Sequence, residues 1–414
     1  MFDLVIKNVK HFETNQIINI AVKNGEISAI KEADTDLETL KEIDGQFDLI
    51  LPPFVESHIH LDTVFTAGDP WWNESGTVME GIKVWNERKK SLTYNDVKQR
   101  ALKVLRLLIV QGVLHVRAHV DISDQNLTAL KAILEIKEEM KDYIQLQIVA
   151  FPQDGIISCK RNVERLEEAL KLGAYAIGAI PHYEYTREYG LKSLDICFSL
   201  AEKYNCMINV FCDEIDDSQS RFLDAVAAKT IESGLYERVT ASHANALSLY
   251  DEAYVEKLLP IIQKAKLNII ACPLISSSSQ GRSGGFPKNR GITRVKDLWN
   301  AGINVSIAHD DIMTPFYPLG NGNMLQAAHM AVHVCHMTGR EEMEEVFNMI
   351  TKRAAKTLQI EEGYGLQIGK PANFITLPVH DKFEAIRLQP TPRLVVSRGN
   401  IISSTPKNES KLYF

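Results

Sequence analysis

No apolar stretch in these 414 residues reaches the ~18 that a membrane-spanning helix needs. The most apolar helical segment, around 101–114, is interrupted by Lys103, Arg106 and Gln111. No run of Lys or Arg stands out, and the formal net charge is −7. Neither nucleic acid nor an anionic membrane is therefore an expected partner. The opening MFDLVIKNVK has no basic region followed by an apolar core, so no secretory signal is expected. Six cysteines, Cys159, Cys197, Cys206, Cys212, Cys272 and Cys335, form no CxxC pair. Reduced thiols in a cytoplasmic protein are the expectation. Asn73-Glu-Ser and Asn408-Glu-Ser fit the glycosylation pattern and read as chance matches. Residue-level repeats and low-complexity segments are also missing.

What is present is ordinary for a soluble globular chain: 45% hydrophobic and 24% charged residues. The two ends read as short strands. Residues 4–9, 18–22 and 27–30 are β-rich, with a turn at Asn24-Gly25, and 373–377 and 393–397 precede a turn at Arg398-Gly399. Between them, apolar runs near 48–58, 113–121, 144–152, 175–181, 207–212, 238–242, 267–273 and 303–308 alternate with amphipathic stretches. The stretches include 93–111, 127–141, 163–172, 194–204 and 220–233. Eight such units predict an α/β chain with a (β/α)8 TIM barrel over 48–364. A small β-sandwich would be built from 1–47 and 365–414. A doubly wound open sheet is the alternative.

A barrel gathers its functional groups at the carboxyl ends of the strands. His58 and His60 end the first run, Gln153 follows the third, His182 the fourth, Asp213 and Glu214 the fifth, and His243 the sixth; His309, Asp310 and Asp311 follow the eighth. His58 and His60 alternate, so both imidazoles can face one metal, although a buried His pair is the plainer reading of that motif alone. Asp310 can ligate a divalent cation and accept a proton, and the Asp310–Asp311 pair can equally be a helix cap. Glu214 and His243 suit acid–base chemistry, and Gln153 suits recognition of an amide-like ring edge. His115, Arg117, His119 and Asp121 share one strand face and are expected to orient the metal-facing groups. Cys212 reads as a buried thiol. His329, His333 and His336 read as packing residues of a helix after the eighth strand.

The segments PPFVESHIHLD (52–62), HVRAHVD (115–121), QIVAFPQ (147–153), CDEIDD (212–217), VTASH (239–243), RGITRVK (290–296) and HDD (309–311) resemble the bacterial cytosine deaminases of the amidohydrolase superfamily. The likeness spans nearly the whole chain. It implies one divalent metal ion, iron or zinc, held by His58, His60 and Asp310. It implies that His243 contacts the activated water, Glu214 shuttles a proton to a ring nitrogen, Gln153 binds the ring carbonyl edge, and Asp311 stands near the reacting amino group. Phe151 and Phe316, with Trp71 or Trp72, are candidates to stack on or close over a planar ring. The implied reaction is metal-dependent hydrolytic deamination of cytosine, or a close aminopyrimidine, to uracil and ammonia. The partner is a small pyrimidine-like molecule, and association of copies of the chain is expected.

One position departs from the resemblance. At the fifth strand the pattern reads His-Cys-Asp-Glu, the histidine being a metal ligand, whereas here it is Phe211-Cys212-Asp213-Glu214. Phenylalanine has no lone pair to donate. A divergent or metal-impaired homologue, acting on another cyclic amidine or triazine or only binding it, is therefore the alternative expectation.

Overall fold

The computed structural model describes residues 1–286, 288–406 and 410–414, and Asn408 lies outside the described residues. Eight strands follow one another around a parallel sheet in chain order. They are β1 (Phe54–Ile59), β2 (Val113–Asp121), β3 (Gln145–Phe151), β4 (Ala176–Ala179), β5 (Met207–Cys212), β6 (Val239–His243), β7 (Asn268–Ala271) and β8 (Asn304–Ile307). Nearly every strand residue is buried, as a sheet covered on both faces demands. Helices lie between the strands, and the arrangement is a TIM barrel rather than an open sheet.

The ring is completed at a seam between β8 and β1. An isolated bridge joins Ile59 to Asp310. The Glu56 carboxylate supplements it, accepting from the His58 N–H at 3.0 Å and the His309 N–H at 3.0 Å. Ser57 and Ser306 hydroxyls meet at 3.3 Å on the same seam. A buried acid thus pairs backbone N–H groups where the strand ladder thins. Burial pushes its pKa up to about 8, against the pull of those N–H donors.

Local chemistry sets the helix limits. The helix expected from 194 begins at Arg187, because Thr186 caps it by accepting from the Tyr189 N–H. The helix expected from 220 begins at Leu223. The Asp213 carboxylate reaches from the end of β5 and accepts from the Phe222 and Leu223 N–H groups. Helix Met324–Val334 holds His329, whose Nδ1 lies 3.2 Å from the Ile386 carbonyl. His333 and His336 are exposed, so the expectation that they pack is corrected: the helix turns its apolar face, Leu325, Ala328 and Val332, inward instead.

The terminal segments form one continuous eight-stranded sheet. Leu4–His11 pairs antiparallel with Ile17–Lys23, which pairs with Glu26–Glu32. Leu49–Leu51 joins Leu4–His11 to Phe374–Leu377 and so links the two ends of the chain. Asn24 and Gly25 both take positive φ, 53° and 79°, which matches the right-handed twist of the hairpin they close. Among the described residues, no helix is long and apolar enough to cross a membrane.

Candidate active site and metal centre

The carboxyl ends of the strands bring His58, His60, His243 and Asp310 together. His58 Nε2 lies 3.7 Å and His60 Nε2 3.9 Å from Asp310 Oδ1, while His243 Nδ1 lies 3.9 Å from Asp310 Oδ2. The ligand atoms of His58, His60 and Asp310 all fall within 4.8 Å of one another. His58 stacks on His119 with ring centroids 3.8 Å apart. His58 Nδ1 lies 2.9 Å from Ser242 Oγ, which also accepts from Asn209 Nδ2 at 2.8 Å. With the His58 Nδ1 proton donated to Ser242, Nε2 keeps its lone pair for the centre.

Two of these residues also hold strained backbone. His243 has φ 71° and Asp310 φ 72°, left-handed conformations that are uncommon for residues with a Cβ. Each costs on the order of 1–3 kcal/mol, and such residues cluster at functional sites.

The electrostatics describe a pocket short of positive charge. Burial holds the His58 and His243 imidazoles well below their ordinary pKa, with neighbouring histidines adding to the effect. Burial takes His60 down to about 4. Burial, then the charges of Asp311, Glu214 and Glu56, raises the Asp310 carboxyl well above its ordinary value. Neutral imidazoles with free lone pairs beside a crowded carboxyl are the donor set of a divalent cation. The fit is also seen in what lacks a partner: His58 Nε2, both His243 ring nitrogens and both Asp310 oxygens are buried without a hydrogen bond. A cation among them would offset the desolvation of all these groups at once.

An inner chamber opens beside this cluster. It is lined by His60, Phe151, Gln153, Phe211, Glu214, His243, Asp310, Asp311 and Phe316, with Val78, Ile180 and Ile275. Val78, Ile180 and Glu214 also line an outer cavity of about 1010 Å³, which His182 and Tyr183 reach. Phe151, Gln153, Asp311 and Phe316, expected on the substrate side, therefore meet in one space. Burial, with Asp311 adding to it, pushes Glu214 up to about 8, and its Oε2 lies 3.8 Å from His243 Nε2. Burial, then Asp62, takes Asp311 to about 7, against a hydrogen bond from Thr314. Phe316 approaches helix Val78–Arg88 at Gly81, where any Cβ would come within 2.7 Å of its ring. Trp71 and Trp72 stand exposed, and neither lines the inner chamber.

Phe211 fills the space beside the ligand cluster. Its ring stacks on Phe151 with centroids 3.9 Å apart and meets His58 edge-on at 4.7 Å. It also lies 5.1 Å from His243 and 5.5 Å from His60. The hydrocarbon ring thus adds an apolar wall where β5 offers no ligand.

The face shared by His115, Arg117, His119 and Asp121 divides. Only His119 touches a metal-facing ring. Asp121 instead accepts from Trp85 Nε1 and Lys89 Nζ, and Arg117 donates to Gln147 Oε1. His115 lies against Tyr364, away from the centre. Cys212 is buried, as expected, and donates to Asp213. One residue escaped the sequence reading. Cys272, at the end of β7, has its sulfur within 4.8 Å of ligand atoms of both His58 and His243. The available signal was position: it follows the seventh apolar run, where neighbouring strands end in His, Gln or Asp.

Comparison with known proteins gives a consistent picture. The profile of the family described as "Amidohydrolase family" matches residues 41–403. The crystal structure of 5-methylcytosine deaminase from Klebsiella pneumoniae liganded with 5-fluorocytosine superposes with a TM-score of 0.96, at 42% identity over 99% of each chain. The N-isopropylammelide isopropyl amidohydrolase of Pseudomonas sp. (strain ADP) is 29% identical, over 97% of each chain. The pterin deaminase of Rhizobium rhizogenes is 26% identical over 93% of this chain and 87% of that one.

Proposed function

The chain belongs to the amidohydrolase family, and on that premise we propose that it hydrolyses the exocyclic C–N bond of cytosine or a close aminopyrimidine, releasing ammonia and leaving a ring carbonyl. The observation that supports this reading best is the meeting of Gln153, Glu214 and Asp311 in one chamber beside the His58–His60–Asp310 cluster. The likeness to a 5-methylcytosine deaminase over the full chain adds to it.

His58, His60 and Asp310 would hold one divalent cation. When bound, it supplies the Lewis acidity that brings the pKa of water from ~16 toward ~7. The rest follows from the chain's own groups. His243 is neutral and both its ring nitrogens are free, so it can take or orient the proton of the attacking water. Asp310 offers a second acceptor 3.9 Å from His243 Nδ1. Glu214, protonated at neutral pH, can donate to the ring nitrogen next to the attacked carbon as charge develops there. Gln153 presents one donor and one acceptor to the ring's amide-like edge. Asp311 accepts from the amino group that departs. Phe151, Phe211 and Phe316 exclude water and limit the space to a flat ring.

A second reading is favoured by the 29% identity to an N-isopropylammelide hydrolase. On it, the chain acts at an N-alkylamino group of a triazine. Purified chain incubated with cytosine, 5-methylcytosine, pterin and N-isopropylammelide separates the readings. Ammonia from the aminopyrimidines is expected. Turnover of N-isopropylammelide alone, with isopropylamine as product, would overturn the deaminase reading.

A further inference from the structure

We propose that Cys272 is a ligand of the site's cation, supplying from β7 the donor that Phe211 does not supply from β5. The proposal rests on the reading that His58, His60 and Asp310 hold that cation.

Geometry supports it first. The Cys272 sulfur and ligand atoms of His58 and His243 lie within 4.8 Å of one another, the same span that unites His58, His60 and Asp310. The two groups share His58, and the Cys272 thiol adjoins the Asp310 carboxylate. The two groups thus meet at His58, and on the proposal one ion draws on both. Second, His58 Nε2 and both ring nitrogens of His243, on the two histidines nearest the sulfur, are buried without a partner. A cysteine that merely packs is surrounded by carbon. Cys197 is such a case, with a long contact to the Gly178 carbonyl; Cys272 shares the apolar core but also borders these polar atoms. Third, the opposite wall is closed to ligation, because Phe211 places a hydrocarbon ring 4.7 Å from His58. β5 therefore offers no donor, and Cys272 on β7 is a thiol within 4.8 Å of ligand atoms of His58 and His243.

The chemistry has a consequence. A thiolate is a soft ligand and favours zinc over harder cations such as manganese or magnesium. Ligation requires loss of the thiol proton, so metal uptake releases one proton from Cys272.

The test is optical and does not depend on turnover. The full-length chain, stripped of metal, is titrated with cobalt(II) and its absorption recorded. Visible ligand-field bands report binding, and an intense near-ultraviolet thiolate-to-cobalt band reports sulfur ligation. Both are expected in the wild-type chain. In Cys272→Ala the thiolate band is lost, and cobalt is held about 10–100-fold more weakly, the range for lost metal support. In Phe211→His/Cys272→Ala, binding recovers without the thiolate band. Should Cys272→Ala fail to fold, Cys272→Ser is read in the same way, and the wild-type spectrum needs no variant. Cobalt bound by the wild type with no thiolate band overturns the ligand role of Cys272 and leaves the cation site standing. A thiolate band that persists in Cys272→Ala also overturns it. No cobalt binding at all overturns both this proposal and the reading beneath it.

Discussion

At the amino end of the barrel, Arg117 donates to Gln147 Oε1 at 2.8 Å and to the Thr357 carbonyl at 3.1 Å. Gln147 passes a hydrogen bond on to the Leu358 carbonyl, and Asn304 joins Asn268 to Thr357. At the carboxyl end polar groups are buried too, yet His58 Nε2, His243 and Asp310 find no partner. Toward the amino end His115, a neutral imidazole whose pKa burial takes down to about 4, and Asn209 Oδ1 are also unpaired. The same sheet thus buries polar side chains for two purposes. Paired groups lock the floor. Unpaired groups at the rim leave their lone pairs for something that is not protein, at a cost in stability that the paired floor and the apolar core outweigh.

The widest separation between the two ends is expected from Asp310→Ala. Turnover of the aminopyrimidine should fall on the order of 10⁴-fold, because the residue is both ligand and proton acceptor on the proposed mechanism. The urea midpoint should hold or rise, since a buried carboxyl without a hydrogen bond is removed. A large loss of stability with activity retained would erase the contrast. Arg117→Met is the mirror experiment. It leaves Gln147 Oε1 and the Thr357 carbonyl buried with fewer donors, at about 2–4 kcal/mol. Denaturant unfolding should show the loss, while kcat of the folded enzyme stays near that of wild type.

Ser242 sits on the border, accepting from Asn209 below and touching His58 above. Ser242→Ala frees the His58 ring to change tautomer or tilt. The expected result is about 10-fold weaker metal binding in a zinc competition titration, with little change in the unfolding midpoint. An effect on stability alone would move Ser242 to the floor.

Much of this division was legible in the sequence. Each apolar run contains a barrel strand, the first only in its second half because Leu49–Leu51 joins the terminal sheet, since a sheet buried on both faces favours apolar residues on both. His58, His60, His243, Glu214 and Asp310 were legible because polar residues that end such runs have few structural reasons to be there. Helix starts were not, because they depend on partners distant in sequence: Asp213 reaches nine residues on to the Phe222 N–H. Cys272 was not, since cysteine counts as apolar and its strand end carries no histidine to draw attention. The split of the β2 face was not either. Alternation tells which side a residue faces, whereas height along the barrel axis decides whether it meets the floor, like Arg117, or the rim, like His119.

The finest distinction lies within the rim, between Glu214 and Asp311. Burial and the neighbouring Asp311 charge place Glu214 at about 8. If the protonated form is the proton donor, kcat/KM is high below that pH and falls as the pH rises through about 8. Asp311→Asn removes one of the two causes. Glu214 then ionises more readily, and the falling limb moves to lower pH. The position of the limb is the quantity to read, because loss of an amino-group contact lowers its height as well. A base role reverses the sign: kcat/KM would rise through about 8 in the wild type, and Asp311→Asn would extend activity toward acid. The pH profile of the two proteins, measured on the same aminopyrimidine, therefore tells which of the two carboxyl groups delivers the proton and which only sets the field in which it moves.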